Sequence, residues 1–218
     1  MSGPTVQIQV RLGSTRLPGK VLYHLGSRRV LEWVVDRCER ARDPEGVVVA
    51  VGDEPENDAI TEWCDRNDVR QVVGPEDDLL ARHLAAAEAT DGDPVVRVTG
   101  DCPFVPPGEI DRLVGEHAAS DARYTTNVTD EMPIGTAVDV IDRDVLAELR
   151  ALEEFHPVMR LRENPEAWSV DFSPDERWTA HSEAHVAVDT PTDYWLLTDA
   201  LAAVGEDPFD VVRWVSQR

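Results

Sequence analysis

Three cations and two carboxylates in this chain have the types and placement that phosphate chemistry needs. The cations fall in one run, Arg11-Leu12-Gly13-Ser14-Thr15-Arg16-Leu17-Pro18-Gly19-Lys20. Two glycines and a proline exclude a helix there and shape a tight loop. Such a loop offers backbone N–H groups to an anion, and Arg11, Arg16 and Lys20 place positive charge around the same concavity. Just before it, Val6, Ile8 and Val10 alternate with Gln7 and Gln9, the period of a β-strand. Strand, glycine-containing loop and fixed cations suit a nucleoside triphosphate. Composition sharpens the point: of 21 Lys+Arg, Lys20 is the only lysine.

The first carboxylate is Asp101, in Val98-Thr99-Gly100-Asp101-Cys102-Pro103. It follows an apolar strand at its carboxyl end, the edge where ligands bind in open α/β sheets. A carboxylate beside a triphosphate suits Mg²⁺; a turn aspartate before Cys-Pro is the plainer alternative. The second is Asp189, which follows Ala187-Val188 and leads into Thr190-Pro191. Two carboxylates from different strand ends can share one metal ion, about 4–6 Å apart. A helix-capping acid is the plainer alternative for Asp189. Asp193 is expected at the N-terminus of the helix that follows.

The run RLGSTRLPGK after a first strand resembles the signature of the nucleotidyltransferases that make CMP-activated sugar acids. The 3-deoxy-manno-octulosonate cytidylyltransferases are the best-known group, and the match is closest to the spore-coat polysaccharide biosynthesis branch. Val10 departs from the alanine usual there. The resemblance runs from Val6 to about Tyr194 with the motifs in family order. It implies a Rossmann-like three-layer α/β fold with a mostly parallel sheet. It also implies transfer of CMP from CTP to a sugar or sugar acid, with Mg²⁺ on Asp101 and Asp189; transfer from UTP or GTP, a glycosyltransferase of similar architecture and a non-catalytic nucleotide-binding protein are the alternatives.

Carried over residue by residue, the resemblance makes Arg11, Lys20 and Asp101 catalytic. It puts Arg11, Ser14, Arg16, Gly19, Lys20, Asp78 and Thr99 on the nucleotide, Thr99 standing where glutamine is frequent. Asp78-Leu79-Leu80-Ala81-Arg82-His83 resembles a DxLxRY run with His83 in place of tyrosine. Asp78 and Arg82 read equally as a functional pair or as an i,i+4 surface ion pair. Arg82, Asp139 of Gly135-Thr136-Ala137-Val138-Asp139-Val140, and His156 of Glu154-Phe155-His156 are the sugar-side candidates. Asp139 equally reads as a strand residue facing solvent.

These residues must be positioned by an alternation of strands and helices. Helical spacing covers 30–38, 56–66, 77–90 and 107–119; apolar or alternating runs at 46–51, 70–73 and 94–99 read as strands. The run 46–51, GVVVAV, suits a strand buried on both faces. This alternation indicates α/β architecture. Beyond it, 124–127, 136–141, 168–172 and 185–188 read as strands, and 143–152, 191–204 and 209–215 as helices. Thr190 is positioned to cap the helix at 191–204 and Pro191 suits its first turn. The 218 residues form one nucleotidyltransferase domain, with 125–182 as a lobe inserted over the sheet for sugar binding or dimerisation; a homodimer is the assembly it allows.

Composition bounds the partners. Asp+Glu number 43 and the formal net charge is −22. Nucleic acid is excluded as a partner because its binding rests on basic patches. No apolar run approaches the ~20 residues of a membrane helix, and no signal peptide is visible, so a cytoplasmic protein without membrane association is expected. Three separated cysteines make neither a disulfide framework nor a zinc site. Dispersed acid with a single lysine resembles halophilic composition, which needs salt to screen self-repulsion.

Overall fold

The structure, a computed structural model, describes residues 3–218. In chain order the first half contains β1 (Thr5–Val10), β2 (His24–Leu25), β3 (Arg28–Arg29), α1 (Val30–Glu39), β4 (Gly46–Gly52), α2 (Asp58–Arg66), β5 (Gln71–Gly74), α3 (Leu79–Thr90), β6 (Val95–Thr99) and α4 (Pro107–Ala119). The second half contains β7 (Tyr124–Thr126), β8 (Asp139–Ile141), α5 (Arg143–Ala151), α6 (Met159–Glu163), β9 (Val170–Phe172), α7 (Glu176–Thr179), α8 (Pro191–Val204) and α9 (Pro208–Val215).

Seven strands form one sheet in the order β5-β4-β1-β6-β8-β7-β9. Its first four strands are mutually parallel, and only β8 runs against the rest. β1 lies centrally, paired with β4 on one side and β6 on the other. Val6, Ile8 and Val10 face α1, α2 and α4 in an apolar layer. Helices α3, α5 and α6 cover the other face through Leu80, Ala87, Leu146, Leu149 and Leu161. The result is the three-layer α/β arrangement. β4 is apolar throughout because a central parallel strand is covered on both faces.

Gln7 and Gln9 of β1 turn toward α3 rather than into the apolar layer. Gln7 is fully buried on the α3 side of the sheet. It donates to His83 Nδ1 across 2.7 Å and accepts from Ala87 N across 3.0 Å. His83 Nε2 in turn donates to Gln9 Oε1 across 3.2 Å, which also accepts from Arg97 Nε across 2.7 Å. Burial, with Arg97 and Arg82 adding to it, pushes the His83 pKa well below its usual range, so the ring is neutral. Period two thus marks two different interiors here, one apolar and one hydrogen-bonded.

The stretch 125–182 differs from expectation. It is not only a lobe over the sheet: β7, β8 and β9 extend the sheet itself, while α5 and α6 pack on its face. The strand expected at 136–141 begins only at Asp139, because the Asn127 side chain replaces ladder partners. Its amide donates to Thr136 O across 3.1 Å and accepts from Val138 N across 2.9 Å. The stretch 185–188 is not a strand. Its amides bond instead to two different loops, Val186 N to Ile134 O at 2.7 Å and Val188 N to Asp101 O at 2.9 Å. At 168–172 only Val170–Phe172 is strand, after a 3₁₀ turn. α8 begins as expected: Asp193 N donates to Thr190 Oγ1 and Thr190 N to Asp193 Oδ2, a reciprocal cap. Among the described residues no helix is long and apolar enough to cross a membrane.

Candidate active site

β1 delivers the cationic loop to the carboxyl edge of the sheet. There the loop folds back on itself: Ser14 N and Gly19 N both donate to Leu12 O, at 2.7 and 3.1 Å, and Leu17 N donates to Ser14 Oγ at 3.3 Å. Gly19 sits at φ +72°, a conformation that glycine adopts without strain. It turns the chain so that Lys20 points inward. The amides of Gly13, Thr15 and Arg16, which line the cavity beside the loop, have no hydrogen-bond partner among the described residues. They are the donors a phosphate would meet.

β6 ends at Thr99 and a tight turn carries Asp101 over the same edge. Gly100 N donates to Gln9 O at 2.9 Å, and a Cβ at Gly100 would sit 3.0 Å from that oxygen, so the close approach to β1 favours glycine. Asp189 arrives from a different direction. The Val188–Asp101 backbone bond draws its segment onto the turn after β6. Lys20 Nζ donates to Asp101 Oδ2 across 2.6 Å and to Asp189 Oδ1 across 2.9 Å. Two oxygens bonded at those lengths to one nitrogen are no more than about 5.5 Å apart. Arg16 donates to Asp189 Oδ1 across 2.9 Å, and His185 Nε2 approaches Asp189 Oδ2 to 3.2 Å without hydrogen-bond geometry.

The charges are mutually dependent. Lys20 is only 7% exposed. Burial opposes its ammonium, but Asp101 and Asp189 outweigh burial and hold its pKa above the usual lysine value. Burial also opposes charge on Asp189, and Lys20, Arg16 and His185 together hold that carboxyl below its ordinary range. Among the described residues no group of three or more His, Cys, Asp or Glu gathers as a metal cage. The two convergent carboxylates fit a hard cation that completes its shell with oxygens from outside the protein.

Two cavities meet at this cluster. The larger, about 600 Å³, is lined by the loop, by Glu76, Asp77 and Leu79, and by Phe155 and His156. The smaller, about 270 Å³, is lined by Cys102, Val128, Met132, Ile134, Ala137 and Ala187 among others. Thr99, Asp101 and Asp189 border both. Arg11, Ser14, Arg16 and Lys20 all line the larger cavity; Arg11 lies on its rim, 3.4 Å from Glu76.

Five expected site residues stand elsewhere or otherwise engaged. Gly19 lines neither cavity and only turns the loop. Asp78 does not line either cavity: its Oδ1 caps α3 by accepting from Ala81 N at 2.9 Å, and its Oδ2 pairs with Arg150. Asp78 and Arg82 therefore do not form an i,i+4 pair. Arg82 reaches the cavity wall, but its guanidinium is bound to the carbonyls of Pro75, Glu76 and Val10. Asp139, at the start of β8, is fully buried under the helices that cover the sheet, where Arg97, Arg162, Tyr124 and Thr126 surround it at 2.6–2.8 Å. Burial opposes its charge, yet Arg162 and Arg97 hold the carboxyl far below its usual range. It faces neither solvent nor a ligand. His156 lines the larger cavity rather than the smaller one, and burial with Arg97 and Arg162 nearby lowers its pKa to about 4.

Two residues at the site escaped the sequence reading. Asn57 Oδ1 accepts from Leu12 N across 2.7 Å, and Asn57 Nδ2 donates to Glu76 Oε2 across 2.9 Å. Together they brace the loop against the end of β5. Glu76 carried a usable signal, since it follows an apolar strand as Asp101 does. Asn57 carried none.

A cytidylyltransferase family model matches residues 5–182. The spore coat polysaccharide biosynthesis protein SpsF of Bacillus subtilis (strain 168) is 32% identical over 214 residues, covering 92% of this chain and 87% of that protein. A 3-deoxy-manno-octulosonate cytidylyltransferase of Pseudomonas fluorescens is 34% identical over 128 residues, covering 56% of this chain and 48% of that protein. The solved structure of a cytidylyltransferase from Leptospira borgpetersenii superposes with a TM-score of 0.91 at 26% identity, covering 100% of this chain and 95% of that one.

Proposed function

Because the chain belongs to the cytidylyltransferase family, we propose that it transfers CMP from CTP to a hydroxyl of a sugar or sugar acid, releasing pyrophosphate, for polysaccharide synthesis. The observation that carries this reading is the junction of the two cavities, where a cation and two carboxylates converge. The larger cavity receives the nucleotide. Its free loop amides and Arg11, Arg16 and Lys20 meet the β- and γ-phosphates and stabilise charge as pyrophosphate leaves. Ser14 and Gly19 shape that loop, and Thr99 lines the junction.

The smaller cavity receives the acceptor. Its walls are largely apolar, with Thr99 and Thr129 offering hydroxyls. An acceptor there presents its own hydroxyl to the α-phosphorus across the Thr99–Asp101–Asp189 border, so the two substrates are held in line. Asp101 and Asp189 are the residues that would hold Mg²⁺, which when bound supplies positive charge against the phosphate oxygens. No side chain acts as a nucleophile. Arg82 and Asp139 belong to the scaffold, and His156 to the nucleotide side.

Pyrophosphate release tests the proposal, measured in molar KCl with Mg²⁺ across the four common nucleoside triphosphates and a panel of sugars and sugar acids. Release with CTP that depends on an added acceptor is the expected result. Faster release with another nucleotide, or none with any acceptor, would overturn it.

A further inference from the structure

Resting on that reading of the site, we propose that Lys20 holds the metal position in the nucleotide-free protein and yields it only when triphosphate arrives. Its ammonium already does what a metal ion would do: it sits within 2.6 and 2.9 Å of one oxygen from each carboxylate. Its side chain is 9% exposed, against 26% for Asp101 and 17% for Asp189. The second cation on Asp189, Arg16, approaches from outside with 61% of its side chain exposed. Lys20 is therefore the inner partner of the pair.

A free divalent cation that bridges the two convergent oxygens, Asp101 Oδ2 and Asp189 Oδ1, must displace this tethered ammonium. Displacement strands a buried positive charge with nothing to pair it, a costly state. A triphosphate removes that obstacle because it offers the ammonium a new anion at the mouth of the same loop. Metal and nucleotide thus each ease entry of the other, a positive coupling between two ligands that comes from one side chain.

The residue type fits this double duty. An ammonium is a compact charge on a flexible stem with three rotatable donors, so it can move between carboxylate and phosphate. A guanidinium is a planar fork that commits to one geometry. The chain uses arginine at every other one of its 21 Lys+Arg positions and lysine only here.

Mn²⁺ alone is the probe, titrated without nucleotide and followed by the electron paramagnetic resonance signal of the free ion. Lys20→Met should bind Mn²⁺ on the order of tenfold or more tightly than the wild type, since the competing charge is gone. The double variant Lys20→Met/Asp189→Asn should lose that gain. Equal or weaker Mn²⁺ binding by Lys20→Met would overturn the proposal, as would a gain that survives the second substitution. Where Lys20→Met folds poorly, melting in Mn²⁺ decides instead: the ion should raise its melting temperature more than that of the wild type, and no greater rise also overturns the proposal. Neither readout involves turnover. A chain that fails to transfer CMP leaves this result standing, and failure here leaves CMP transfer untouched.

Discussion

Lys20 and Asp101 are 81 residues apart in the chain and joined by a 2.6 Å charged hydrogen bond. The bond ties the loop after β1 to the turn after β6, and the same ammonium reaches Asp189. Mechanism and local stability therefore draw on the same atoms.

Replacing Lys20 by alanine should lower turnover by on the order of a hundredfold or more, because it removes charge facing the leaving pyrophosphate. Steady-state rates of the purified variant, alongside its circular dichroism spectrum, check this. Near wild-type turnover would take the loop out of the mechanism.

Asp101→Asn and Asp189→Asn should each abolish Mg²⁺-dependent turnover while the fold persists. An asparagine oxygen can still accept from Lys20, so the packing has a substitute partner, but the anionic charge that attracts a hard cation is lost. Activity across a Mg²⁺ titration, with melting curves, separates the two effects. Full activity in either variant would remove that carboxylate from the metal site.

Asp139→Asn should destabilise the protein by about 3–5 kcal/mol, because Arg97 and Arg162 are left without their buried counter-charge. Its acceptor KM should not change at temperatures where the variant is folded. Urea unfolding and acceptor kinetics give the two numbers. A stable variant with a raised acceptor KM would restore Asp139 to the sugar site.

Acid should weaken the fold below about pH 6.5. His83 and His156 stay neutral in the folded protein, their pKa values lowered from 6.5, His156 to about 4. Arg97 and Asp139 face both rings, Arg82 and His156 also act on His83, and Arg162 on His156. The unfolded chain takes up protons as pH falls through 6.5 and the folded chain does not. Stability is thus complete above 6.5 and declines from there toward 4. His156→Asn should reduce that decline by on the order of 1 kcal/mol, the ring being only partly buried. Denaturant unfolding at pH 7 and pH 4.5 tests it; identical declines in both proteins would contradict the assignment.

Salt should stabilise the chain. A net charge of −22 repels itself, and molar KCl shortens the screening length to about 3 Å. The melting temperature should rise by on the order of 10 °C between dilute buffer and molar KCl. A flat or falling curve would show that the acidic surface imposes no such demand.

Much of this molecule could be read along the chain because the signals are local. Helix α4 and helix α8 start at Pro107 and Pro191 as their sequences indicate, since proline and capping side chains act within one turn. The loop from Arg11 to Lys20 was legible because glycine and proline restrict backbone directly. Asp101 was legible because strand ends in a parallel sheet share one edge.

What the chain alone could not show is which neighbour each polar side chain would meet. Asp139 read equally as a strand residue facing solvent, yet three helices cover that face, and Arg97 bonds there to both Gln9 and Asp139. Asp78 was read as a residue of the helix and stands instead as its N-cap; whether its carboxylate turned to the cavity or to Arg150 depended on where α5 packed. Asp189 reached the site by a backbone bond to Asp101 rather than by a strand. Sequence determined the backbone preferences and the inventory of charges, because those act over a few residues. Only the packed structure decided the pairings, because a buried charge takes whichever partner the fold brings within about 3 Å, however distant in the chain.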